Sequence, residues 1–247
     1  SVIYAALGQA FFSLSLGMGA LITYGSYVSK KENIISSAAL ITLTDVGIAF
    51  FAGLMMFPFV FSLGLEPSGG PGLIFVTLPQ AFQTLGPTLG VVIGSLFFML
   101  LSFAALTSTV SLLEVPVSYM MDEHNWPRKK AVWAIAGFIF VIGIPSLLAN
   151  GASTFFSTFA GSDFMTFIGY VANDTLLPLG GCLITFFAAY VWKKHNLSEE
   201  IAIGNPGYKG SAVETFINFA ISYICPMLLA IITFFTILSR FFGIDVL

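Results

Sequence analysis

Ala5-Ala6-Leu7-Gly8-Gln9-Ala10-Phe11-Phe12-Ser13-Leu14-Ser15-Leu16-Gly17-Met18-Gly19-Ala20 is apolar enough to enter a bilayer, yet it gathers Ser13, Ser15, Gly17 and Gly19 near its middle. Inside hydrocarbon every backbone N–H and C=O needs a partner. Irregular backbone therefore survives there only beside other protein or a polar cavity. Two readings of the stretch are open. The helix breaks here, and its freed backbone groups hold an ion or a charged ligand. Alternatively, the small residues let two unbroken helices approach closely.

The rest of the chain reads as membrane protein. Of its 247 residues 57% are hydrophobic and 9% charged, with a mean hydropathy of +0.95. Soluble domains carry about 25% charged residues. The net charge of −3 and the absence of long Lys/Arg runs argue against a nucleic-acid partner. Cys182 and Cys225 lie in apolar stretches and read as small packing residues rather than a disulfide or metal pair. His124 and His195 flank apolar segments without ligand-spaced neighbours and read as solvated loop residues.

A span needs about 20 apolar residues. Six segments qualify: residues 2–27, 34–63, 86–121, 130–148, 164–192 and 212–241. The expected fold class is therefore an all-α membrane protein. Lys30 and Lys31 follow the first segment. Arg128, Lys129 and Lys130 follow the third, and Lys193, Lys194 and Lys209 follow the fifth. Eight of the nine basic residues thus fall on alternate connections, with Arg240 the exception. By the positive-inside rule this puts Ser1 outside, the first span running inward and the C-terminus outside. Residues 65–85 open with Glu66-Pro67-Ser68-Gly69-Gly70-Pro71-Gly72 and continue with an apolar run too short to cross. They predict a capping or re-entrant hairpin on the outer face. A chain that opens at Ser1 directly in such a segment reads as part of something longer.

Ionisable residues within spans are functional candidates by default. They are Asp45, Glu114, Asp163 and Asp174, each with a buried structural hydrogen bond as its plainer explanation. In the third span Ala104-Ala105-Leu106-Thr107-Ser108 gathers a carbonyl and two hydroxyls within about one turn. That is oxygen chemistry suited to a hard cation. Thr and Ser also simply back-bond within helices. No His-Glu-x-x-His or Gly-x-Ser-x-Gly occurs, so nothing points to an intramembrane enzyme.

Together these residues resemble the neurotransmitter:sodium symporter family, which has the LeuT-type fold. Leu7-Gly8-Gln9-Ala10-Phe11-Phe12-Ser13-Leu14-Ser15-Leu16-Gly17-Met18-Gly19 matches the family's broken sixth helix. Leu106-Thr107-Ser108 matches the eighth helix, and Asp163-Phe164 the start of the tenth. The resemblance is closest to bacterial sodium-dependent hydrophobic amino-acid transporters. It implies a LeuT-type inverted repeat: the second repeat plus one further helix, helices six to eleven, with a discontinuous first helix in this chain. It also implies sodium-coupled amino-acid symport by alternating access, in a multi-pass cell-membrane protein, when combined with the missing N-terminal half.

The implied partners are an amino acid, Na+, the lipid bilayer and that half. Ser13 and Asp45 would serve the first sodium ion; at Asp45 the family usually has Asn. The Ala104 carbonyl, Thr107 and Ser108 would serve the second ion. Phe12, Ser13, Ser15, Met18, Ser108 and Leu112 would face the substrate. Asp163 and Asp122 would be the acids of the outer and inner gates, and no residue would be catalytic. Met18 stands where an aromatic residue is common, and Ala49 where some bacterial members have Glu. Chloride-requiring members lack a carboxylate beside the first sodium ion. Asp174 matches no family role. A scaffold or channel-like membrane subunit is the alternative function.

Overall fold

The apolar runs become helices. The computed structural model describes residues 2–64, 72–149 and 152–243, and no β-strand occurs among them. The turn-rich opening of the expected hairpin, residues 65–71, lies outside the described residues. In chain order the helices are α1 (Val2–Ser13), α2 (Ala20–Tyr27), α3 (Ile34–Ser62), α4 (Leu78–Gln83), α5 (Pro87–Asp122) and α6 (Arg128–Leu148). They continue with α7 (Thr154–Ser157), α8 (Phe164–Gly169), α9 (Leu177–Phe186), α10 (Lys194–Gly204), α11 (Ala212–Phe219) and α12 (Cys225–Phe242). Four π-helical turns are inserted: Leu73–Thr77 before α4, Tyr170–Leu176 between α8 and α9, Phe187–Val191 after α9, and Ala220–Ile224 between α11 and α12.

Among the described residues, five continuous helical stretches are long and apolar enough to cross a membrane: Ile34–Ser62, Pro87–Asp122, Arg128–Leu148, Phe164–Val191 and Ala212–Ser239. The first apolar segment is different, because its helix stops at Ser13 and resumes at Ala20. At about 1.5 Å per residue, α5 with its 36 residues is about 54 Å long and exceeds a hydrocarbon core of about 30 Å. Large apolar side chains such as Phe51, Leu100 and Phe140 are exposed along α3, α5 and α6. A surface of that kind is stable against lipid or other apolar protein, not against water.

The chain divides into two compact units, residues 40–112 and the remainder. In the smaller one α4 turns back onto the start of α5. A Cβ on Gly90 would run into the Phe82 carbonyl oxygen, so the two backbones meet where only glycine fits. In the larger unit α9 and α12 form the most extensive helix pairing. The Tyr190 hydroxyl donates to the Ser222 carbonyl at 2.7 Å, joining the π turns that follow α9 and α11.

Two helix ends carry their own stop signals. Ser211 caps α11, its Oγ accepting from the Glu214 N–H at 3.2 Å, while Glu214 reaches back to the Gly210 N–H at 2.7 Å. Gly243 closes α12 in the left-handed conformation that glycine adopts without strain. His195 departs from its expected place in a loop. It lies on α10, exposed, with Nε2 3.4 Å from the Glu199 carboxylate one turn on. Lys193, Lys194, Glu199 and Glu200 give this stretch no apolar run to read, and it is a helix nonetheless. Cys182 and Cys225 are free thiols, both half-buried.

Candidate functional site

The break between α1 and α2 is built by three left-handed residues. Ser15 has φ 55°, Gly17 φ 81° and Gly19 φ 83°. For an L-residue the left-handed region costs about 1–2 kcal/mol, so Ser15 is held there by its surroundings. The helix unwinds stepwise. Leu14 N–H still donates to the Ala10 carbonyl at 3.0 Å, Ser15 N–H steps to Phe12 at 3.2 Å, and Leu16 N–H reaches back to Phe11 at 2.9 Å. Winding resumes with the Thr23 N–H on the Gly19 carbonyl. Of the two readings of this stretch, the broken helix is the one realised, and close approach comes with it. A Cβ on Gly17 would run into the Leu177 carbonyl oxygen of α9 and lie 2.9 Å from the Gly181 nitrogen.

Phe12, Ser13, Ser15 and Met18 all lie at this break, Phe12 and Ser13 exposed and Ser15 and Met18 half-buried. Ala104, Thr107 and Ser108 lie together on about one turn of α5 with Leu112 one turn further, all of them exposed. The Thr107 hydroxyl donates to the Ala104 carbonyl at 2.8 Å. Two hard oxygens are thereby held side by side on one helix face, which suits a small cation. The neighbouring Thr109 and Ser111 back-bond in the same way, to the Ala105 and Thr107 carbonyls. Asp45 is half-buried on α3. Asp122, the last residue of α5, is exposed.

Asp163 caps α8. Its carboxylate accepts from the Thr166 hydroxyl at 2.6 Å and from the Thr166 N–H at 2.9 Å. Those bonds, the hydroxyl first, hold the carboxyl below its ordinary range. Five rings, Phe155, Phe156, Phe159, Phe164 and Phe167, stack edge to face around the approach to this cap. The approach turns a corner through Ala160 and Gly161, both left-handed.

Sequence reasoning flagged Glu114 but not its partners. Arg128 grips it bidentately, Nη1 to Oε1 at 2.8 Å and Nη2 to Oε2 at 2.6 Å, and the Tyr27 hydroxyl donates to Oε1 at 2.9 Å. The end of α2, the last quarter of α5 and the start of α6 are thus tied at one carboxylate. Glu114 is only 9% exposed, whereas the Arg128 side chain is 56% exposed. The available signal was that a membrane-depth acid needs a partner and that a basic cluster follows 14 residues on. Arg128→Met is expected to leave Glu114 buried with a single donor. The protein should be destabilised, by less than the loss of a fully buried pair because solvent already screens the exposed guanidinium. Thermal melts of the full-length protein in detergent would check this, with the Glu114→Gln/Arg128→Met pair recovering much of the loss.

The model of the sodium:neurotransmitter symporter family matches residues 1–241. The uncharacterised sodium-dependent transporter YhdH of Bacillus subtilis is 35% identical over 236 residues, 94% of this chain and 50% of that protein. The sodium- and chloride-dependent glycine transporter 1 of Xenopus laevis is 26% identical over 249 residues, 95% of this chain and 36% of that protein. Among solved structures, MhsT in complex with L-phenylalanine superposes with a TM-score of 0.84 and 42% identity, over 94% of this chain and 51% of that one. The chain therefore spans about half the length of these bacterial and structural relatives.

Proposed function

We propose, since the chain belongs to the sodium:neurotransmitter symporter family and is a multi-pass membrane protein with the LeuT-type fold, that the full-length protein couples sodium entry to uptake of an amino acid with a hydrophobic side chain. The observation that carries this reading is the break at residues 14–19, which frees backbone within a segment apolar enough to span. The likeness to MhsT, solved with L-phenylalanine, supports the substrate class.

In this reading the chain supplies one half of the site, and residues N-terminal to it in the full-length protein supply the other. Ser13 and Asp45 serve the first sodium ion. The Ala104 carbonyl, Thr107 and Ser108 serve the second. Phe12, Met18 and Leu112 form the apolar wall of the substrate pocket, with Ser13, Ser15 and Ser108 at its polar end. Asp163 and Asp122 close the outer and inner gates. Sodium here is cargo that the protein releases each cycle, and no covalent chemistry is involved.

The test is binding of radiolabelled L-phenylalanine to the purified full-length protein, in sodium and in potassium. Saturable binding in sodium alone is expected, with Leu and Phe outcompeting Lys and Glu. Ser108→Ala is expected to weaken it by about 1–3 kcal/mol, the cost of leaving one partner unmade at a buried polar site. Equal binding in both salts would favour a scaffold or channel-like subunit.

A further inference from the structure

We infer that Gly180 and Gly181 of α9 are positioning residues for the break: they form a backbone seat that fixes where Phe12, Ser13 and Ser15 present their oxygens and ring. The inference rests on the reading of the break as half of a sodium and amino-acid site. The contact is reciprocal. A Cβ on Gly17 would run into the Leu177 carbonyl oxygen, and a Cβ on Gly180 would run into the Gly17 carbonyl oxygen. Nothing but main chain separates the two segments there. A Cβ on Gly181 would lie 2.9 Å from Cε1 of Phe11, so the Phe11 ring lies on that glycine. The seat therefore grips the chain at Phe11 and again at Gly17, on either side of Phe12, Ser13 and Ser15.

The break needs such a seat. A helix fixes its side chains through its own hydrogen-bond ladder, but between Ser13 and Ala20 that ladder is interrupted. The geometry of Ser13 and Ser15 must then come from what the segment rests on. Leu177, Gly180 and Gly181 stand at i, i+3 and i+4, hence on one face of α9. The π turn Tyr170–Leu176 directly precedes them. One residue inserted into a helix turns everything beyond it by about 100°. The insertion therefore sets which face α9 offers the break. The Thr175 hydroxyl donates to the Tyr170 carbonyl at 2.9 Å, within that turn.

Sodium titrations of L-phenylalanine binding to the full-length protein test the seat. Gly180→Ala is expected to raise the half-saturating sodium concentration about tenfold or more, because small misplacements of positioned groups carry penalties of that size. The number of sites per folded protein should stay the same. Gly181→Ala should shift the midpoint less, since the Phe11 ring edge can move aside where a carbonyl cannot. Gly169→Ala, where a Cβ meets nothing within 4 Å, should keep the parent's midpoint. A role in packing alone would lower the yield of folded protein and leave the midpoint in place, and that result would overturn the inference. So would a Gly169→Ala shift equal to that of Gly180→Ala. If Gly180→Ala does not fold, an unchanged midpoint in Gly181→Ala overturns it. A parent that binds no L-phenylalanine in sodium removes the functional reading itself, a result distinct from an unmoved variant beside a working parent.

Discussion

Gly17→Ala is expected to be strongly damaging, costing about 3–5 kcal/mol and ending sodium-dependent binding by the full-length protein. Two effects add. The φ of 81° lies in the left-handed region, where a side chain costs about 1–2 kcal/mol. The new Cβ also has no room, because what it meets is the Leu177 carbonyl and the Gly181 nitrogen of α9, both main chain. A helix backbone cannot step aside as a side-chain tip can. Gly19 isolates the first effect: its φ is 83°, but a Cβ there meets only Cγ1 of Val115, at 3.3 Å. Gly19→Ala should cost about 1–2 kcal/mol. Gly8, inside α1 with nothing within 4 Å of its would-be Cβ, should gain up to about 1 kcal/mol from alanine's helix propensity. Thermal melts of the three variants would read that order. A Gly17→Ala protein melting with the parent would refute the close approach to α9.

The break was legible because its signal is local: two serines and two glycines inside one apolar run. Its seat was not. Whether Gly180 and Gly181 face α1 depends on a π turn that composition does not announce, and on a partner more than 160 residues away. The ends of α3, α5 and α6 fall within two residues of where the apolar runs stop, as frayed helix ends allow. Helix α10 escaped notice because its charged first half carries no apolar period. Glu114 was legible as an acid in the wrong solvent, but its bidentate partner sits in a basic cluster that reads first as an orientation signal. Arg128 serves as more than that signal, since its guanidinium holds the carboxylate. The roles given to Asp45, Thr107 and Ser108 came from family resemblance. Residue spacing alone gave oxygens on a helix, and the Thr107 to Ala104 bond is equally the back-bonding that any membrane threonine makes.

Transport by the full-length protein is expected to proceed without chloride, and Asp45 is the residue that should make it so. In the proposed site Asp45 stands where the family usually places a neutral amide beside the first sodium ion. A carboxylate at that position supplies in fixed form the negative charge that a bound anion supplies elsewhere. The magnitude is sufficient: two unit charges 4 Å apart attract by about 4 kcal/mol at an effective dielectric constant of about 20. That is about a thousandfold in an ion's affinity. Asp45 is half-buried on α3, where a charge is screened less than at an open surface. Asn at this position keeps an oxygen ligand and removes the charge. Asp45→Asn should therefore lose most uptake in chloride-free medium, and any activity it retains should rise when chloride is restored. Uptake into proteoliposomes, with gluconate replacing chloride on both sides, would measure this for parent and variant together. A parent that stops without chloride would end the idea. An Asp45→Asn protein that works as well as the parent in gluconate would show that the carboxylate is not the balancing charge, and that the counter-charge comes from the half of the site outside this chain.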